Sequence, residues 1–199
     1  MTVCWLMIGD GRDEYHERSL ASAKRHIPRP DFTVVVDDSA HELGFAGAIA
    51  EGWRRVREIG PDWVFHLELD FTFDAPVPLD RMIAVLKRNP YLVQMALKRQ
   101  PVNPDEQAAG GIVELDPDSF EQRTSGGDIW TEHRKFFTTN PSVYPAALCA
   151  QPWPQESRSE GLFSLKLFED PKARSAFWGA KFDAPLTHHI GDERAGKGY

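Results

Sequence analysis

Apolar residues in the first half of this chain alternate between continuous short runs and helical spacing. Val3-Cys4-Trp5-Leu6-Met7-Ile8 is an unbroken apolar run that predicts a buried first strand over 3–8, followed by Gly9-Asp10-Gly11. Tyr15, Leu20, Ala23 and Ile27 then punctuate a polar stretch, which predicts a helix over 13–26 stopped by Pro28 and Pro30. Phe32-Thr33-Val34-Val35-Val36 predicts a second strand that runs into Asp37-Asp38-Ser39. Ser39 and Glu42 have capping-box spacing, and Leu43, Ala46, Ile49, Ala50, Trp53, Val56 and Ile59 predict the helix behind them, ended by Gly60-Pro61. The segment 62–74 carries Trp63, Val64, Phe65, Leu67 and Leu69 and predicts a buried third strand that ends in acid. Leu79, Met82, Ile83 and Leu86 predict a helix over 79–87, Asn89-Pro90 ends it, and a fourth strand follows over 91–98.

This alternation predicts an α/β fold: a sandwich with a mainly parallel central sheet and helices on both faces. Ligands of such sheets bind beyond the carboxyl ends of the strands. Gly9, Asp10, Gly11, Arg12, Asp37, Asp38, Glu68 and Asp70 all fall at that edge. The second half is less regular. Residues 100–129 are rich in Pro, Gly, Asp and Gln, with Gly110-Gly111 and Gly126-Gly127, and read as a mobile active-site lid. Phe136-Phe137-Thr138-Thr139-Asn140 reads as a further strand ended by Pro141, and 157–168 as a helix.

Composition narrows the class. A chain of 199 residues fits a single domain, and 41% hydrophobic with 27% charged residues is ordinary for a soluble globular protein. No apolar run approaches the roughly 20 residues that span a bilayer. The stretch 2–8 lacks a basic flank and reads as a strand, not a signal peptide. Two cysteines, Cys4 and Cys149, predict a reduced, cytoplasmic protein without a disulfide framework. A net charge of -7 argues against a broad nucleic-acid footprint, while local recognition of DNA stays open.

The chemistry concentrates in the acids. Glu68 and Asp70 sit two apart, so on a strand they share a face, and two carboxylates there repel and are costly to bury alone. A divalent cation resolves that cost, and hard oxygen ligands suit Mg2+ or Mn2+ held together with a substrate phosphate. Asp37-Asp38 has two readings: turn and cap chemistry, or carboxylates that bond a nucleotide's base or ribose. His188-His189 offers an imidazole beside the carboxylates. Glu156 and Glu160 flank the start of the late helix, where either is a helix-terminus charge or a general base.

In this order the residues resemble the GT-A-type glycosyltransferases, close in pattern to the family-2-like enzymes and their small bacteriophage relatives. Val34-Val35-Val36-Asp37-Asp38-Ser39 resembles their nucleotide-binding strand end. The stretch from Gly44 to Gly52 resembles the helix after it, and Phe65-His66-Leu67-Glu68-Leu69-Asp70 the strand with the Asp-x-Asp metal motif. Ser157-Arg158-Ser159-Glu160-Gly161 lies where the catalytic-base helix is expected, and His189-Ile190-Gly191 resembles the late His of the metal site. The first acid of the metal motif is Glu68, not Asp, which makes Asp70 the safer ligand.

The resemblance implies transfer of a sugar from a nucleotide sugar, a UDP-sugar foremost, to a hydroxyl of a protein, a glycan or a modified DNA base. It implies a donor half over 1–99 and an acceptor half over 100–199. Asp37, Asp38, Arg12, Glu68 and Gly111 would contact the donor, with Arg194 a further phosphate contact. Asp70 and His189 would hold Mn2+ or Mg2+, and Glu160 would act as the base of an inverting displacement. Two other readings stand beside it. A nucleotidyltransferase shares the sheet and the acids but calls for a basic phosphate loop, of which Gly9-Asp10-Gly11-Arg12 is a thin version. A non-catalytic nucleotide-sugar or glycan-binding module would use aromatics such as Trp130, Phe136, Phe137, Trp153 and Trp178.

Overall fold

The computed structural model describes residues 1–100 and 113–193. Gly111, Arg194 and positions 101–112 of the expected lid lie outside the described residues. Strand β1 (Val3–Gly9) leads through α1 (Asp13–His26) to β2 (Phe32–Asp37), and α2 (Gly44–Ile59) leads to β3 (Trp63–Glu68). β4 (Phe71–Phe73), α3 (Leu79–Arg88), β5 (Leu92–Ala96) and β6 (Arg99–Gln100) complete the first half. The second half holds β7 (Phe120–Ser125), β8 (Asp128–His133), β9 (Ser142–Pro145), α4 (Ser159–Leu167), β10 (Arg174–Trp178) and β11 (Thr187–His189).

The main sheet has the order β2-β1-β3-β9-β5-β10-β8-β7. β1 is parallel to β2 and β3, β9 is antiparallel to β3 and β5, β10 is parallel to β5, and β8 is antiparallel to β10 and β7. Six of the eight strands therefore run one way, with β9 and β8 reversed. This is the expected α/β sandwich. A small second sheet, β4-β11-β6, sits beside it.

Alternation along β1 supplies both cores. Val3, Trp5 and Met7 pack with Ala23, Ile27, Met82, Ile83 and Leu86, so α1 and α3 cover one face. Cys4, Leu6 and Ile8 pack with Ile49, Trp53, Val56, Phe163 and Leu167, so α2 and α4 cover the other. Trp53 anchors that second core: its ring centroid is 5.1 Å from those of Trp153 and Phe163, and its Nε1 donates to Tyr144 Oη at 3.0 Å. Cys4 and Cys149 are free and buried in the same cluster, where burial pushes their thiols up to about 11 and about 12.

The structure departs from the sequence expectations at four places. The segment 62–74 is not one strand: β3 stops at Glu68, Leu69 and Asp70 turn, and β4 leaves to pair with β11. Residues 136–140 are not a strand. Their amides are taken by side chains instead of a neighbouring strand: Phe137 N donates to Ser164 Oγ, Thr138 N to Gln94 Oε1 and Thr139 N to Glu160 Oε1. The strand begins after Pro141, as β9. The capping box does not form, because Glu42 N donates to Asp38 Oδ1 and Ser39 N to Asp37 Oδ1. Finally, 117–129 is no structureless lid: a 3-10 turn leads into β7 and the β7–β8 hairpin, closed by Gly126 and Gly127 at positive φ.

Candidate active site

The strand register assembles the site. Gly9 pairs with Asp37 and Ile8 with Glu68, so the carboxyl ends of β1, β2 and β3 lie level. Leu69 N donates to Ile8 O at 2.8 Å and carries the chain one residue past β3. Asp70 follows in the turn. Glu68 and Asp70 thus do not share a strand face, yet both line one pocket with Ile8, Gly9, Asp10, Arg12, His16, Phe45 and Leu69.

The tail reaches this pocket through the small sheet. β11 pairs with β4 so that His189 lies opposite Phe71, and Ile190 N donates to Asp70 O at 2.9 Å. The His189 ring stacks on Phe71 with centroids 4.6 Å apart. Its Nε2 lies 3.1 Å from Asp70 Oδ2. Alternation along β11 turns His188 to the opposite face, which separates the two histidines. Gly191 closes the corner. A Cβ there would stand 2.8 Å from His189 Nε2 and even nearer to Asp70 Oδ2.

Arg12, the residue just before α1, completes the cluster. Its Nη2 donates to Asp70 Oδ2 at 3.0 Å and its Nε to Asp10 Oδ1 at 2.6 Å. Burial disfavours a charge on Asp70, but the hydrogen bond to His189 and the charges of His189 and Arg12 outweigh it and hold the carboxyl below its ordinary range.

These residues fit a hard divalent cation. Asp70 Oδ1 is buried and makes no hydrogen bond, an acceptor with capacity to spare. The 3.1 Å between His189 Nε2 and Asp70 Oδ2 is close to the roughly 3 Å between neighbouring ligands of an octahedral ion bound at about 2.1 Å. Among the described residues no group of three acidic, His or Cys side chains converges, so only the pair Asp70 and His189 would hold such an ion. Mg2+ and Mn2+ tolerate that where substrate phosphate and water supply the rest.

The remaining expected residues divide. Asp38 is buried, and its carboxylate accepts three backbone bonds, from Glu42 N and Leu43 N at 3.0 Å and Gly44 N at 2.8 Å. It orders the start of α2. Asp37 is exposed beside Gly9, with Oδ1 accepting from Ser39 N at 3.0 Å. Glu160 lies in the first turn of α4 and its Oε1 accepts from Thr139 N at 2.7 Å. Thr139 precedes β9, whose Ser142 pairs with His66 and Ala96 near the ends of β3 and β5. Glu160 therefore belongs to the same sheet edge, though not to the lining of the Asp70 pocket. Glu156 is exposed ahead of α4. Sequence reasoning placed Asp10 at this edge without giving it a role, and passed over His16 and Phe45. Asp10 had a legible signal, a carboxylate between two glycines at the end of a buried strand; His16 and Phe45 had none, because only the packing of α1 and α2 brings them to the pocket.

No protein-family model matches the chain, and a search of curated proteins found no match. Solved structures do share the fold. A crystal structure of S. aureus TarS residues 1-349 superposes with a TM-score of 0.57 at 15% identity, over 97% of this chain and 61% of that one. TarS 1-349 in complex with UDP-GlcNAc gives 0.56 at 12% identity, over 98% and 62%. TarS 1-349 in complex with UDP gives 0.53 at 14% identity, over 94% and 60%. The chain thus spans less than two thirds of the TarS chains that it matches.

Proposed function

We propose that this protein is a metal-dependent glycosyltransferase that uses a nucleotide sugar, foremost a UDP-sugar. One observation carries the reading: a buried Asp70 carboxylate, one oxygen of which faces both His189 and Arg12, at the carboxyl edge of a fold shared with a protein crystallised with UDP and UDP-GlcNAc. Asp37 reaches the nucleoside, and Asp38 acts by shaping the loop around it. Arg12 bonds the diphosphate, Glu68 lines the donor pocket, and Gly111 joins the donor contacts by resemblance. Asp70 and His189 hold Mn2+ or Mg2+. That cation, when bound, neutralises charge on the leaving diphosphate.

Glu160 takes the proton of the acceptor hydroxyl as its oxygen attacks the anomeric carbon, the bond to the diphosphate breaks, and the configuration inverts. The acceptor is a protein, a glycan or a modified DNA base, and the net charge of -7 favours the first two. A cytoplasmic setting suits two buried, unpaired thiols. Among the described residues no helix is long and apolar enough to cross a membrane.

The test is nucleotide release from a panel of nucleotide sugars with Mn2+ and with EDTA. Release that depends on the cation and is lost in Asp70→Ala supports the reading; release that survives both overturns the metal role, and no release from any donor overturns the transferase. One observation favours binding without turnover: Glu160 Oε1 already anchors Thr139. UDP binding with no release, unchanged in Glu160→Gln, would identify a binding module.

A further inference from the structure

Arg12 stands where the cation of this site would bind. Its Nη2 and His189 Nε2 approach the same oxygen, Asp70 Oδ2, at 3.0 and 3.1 Å. A guanidinium and a divalent ion on one buried oxygen would set like charges together where water screens them poorly. Arg12 also has a second hold. Its Nε donates to buried Asp10 at 2.6 Å, and its guanidinium carbon lies 5.0 Å from the centroid of the Tyr15 ring. Its Nη1 is buried and makes no hydrogen bond, a donor that an anionic oxygen would satisfy.

We propose that Arg12 is an internal counter-ion of Asp70: it neutralises that carboxylate in the free protein, competes with the divalent cation for it, and moves to the diphosphate of an incoming nucleotide. The inference rests on the donor site proposed above. Asp10 is the pivot, because it grips Nε while Nη2 leaves Asp70 and Nη1 gains an acceptor. The consequence is coupling. A nucleoside diphosphate that draws Arg12 away frees Asp70 for the cation, so each ligand strengthens the other, and by linkage the factor is the same in both directions.

The test is Mn2+ binding to the full chain, followed by calorimetry and by the electron-spin signal of free Mn2+, with and without UDP. Saturating UDP is expected to tighten Mn2+ at least tenfold in the wild type. Arg12→Gln is expected to bind Mn2+ alone at least tenfold more tightly than the wild type, and to gain less from UDP. Arg12→Lys keeps the charge but cannot fork between two carboxylates, and is expected to fall between them; it keeps the test readable if Arg12→Gln does not fold. Arg25→Gln removes an equal charge at the far end of α1 and is expected to match the wild type. Mn2+ affinity unchanged in the Arg12 variants, an equal shift in Arg25→Gln, or no Mn2+ binding by any of them overturns the counter-ion. Nucleotide release in the same preparations tests the transferase separately. Release with no effect of Arg12 on Mn2+ leaves that reading standing and removes this one, and competition without release does the reverse.

Discussion

Asp70 and the small residue packed on it stand at the centre of the proposed chemistry. One oxygen of Asp70 meets Arg12 and His189 while the other is buried, so Asp70→Asn alters charge with little change of shape. It is expected to lower nucleotide-sugar turnover by about 100-fold or more, measured as nucleotide release from folded protein. Gly191→Ala probes the same corner by volume. Its Cβ would press on both the Asp70 carboxylate and His189, so Mn2+ affinity is expected to fall roughly 10- to 100-fold, with thermal stability little changed. Titration of Mn2+ against a melting curve checks both halves. At this scale the place of Asp70 at the sheet edge was legible, being an acid at the end of a buried run. The Ile190-Gly191 that follows favoured His189 over His188 by resemblance alone; what sets His189 beside Asp70 is the pairing of β11 with β4, which no local spacing reveals.

Elements explain why Asp38 is present at all. Its carboxylate accepts from three amides at the entrance to α2, a helix that no other side chain caps. Asp38→Ala is expected to cost about 2 kcal/mol, read as a lower urea midpoint with an unchanged slope. A cost under about 0.5 kcal/mol would mean that water replaces the cap. α1 was readable because Pro28 and Pro30 stop it, and α3 because its apolar residues keep one spacing. Residues 136–140 misled because their amides are satisfied by Gln94, Glu160 and Ser164, all more than twenty positions away in sequence. A β-favouring stretch then becomes a loop, since its ladder partners are side chains.

For the whole molecule, two buried histidines set the response to acid. His66 lies inside β3 with Nδ1 3.1 Å from Tyr144 Oη, and His133 is wedged among Phe120, Phe136 and Phe177. Burial pushes both down to about 3. Each stays neutral when folded and gains a proton near pH 6.5 when unfolded. The stability they allow is complete above pH 6.5 and shrinks from there towards about 3. At pH 5 each is expected to have cost about 2 kcal/mol. Urea unfolding at pH 7.5 and pH 5 checks this, and equal stability at both would contradict it. The overall sheet was legible because its strands and helices alternate. The second sheet was not, because β4, β6 and β11 are two or three residues each and meet only across long sequence separations.

Whether the carboxyl edge of this sheet is a donor site is tested most directly by calorimetric titration of UDP, with Mn2+, into the wild type and into folded Asp70→Asn. Saturable one-to-one binding is expected in the wild type, weakened at least about tenfold in the variant and by EDTA. No binding, or binding that neither the substitution nor EDTA weakens, would contradict it.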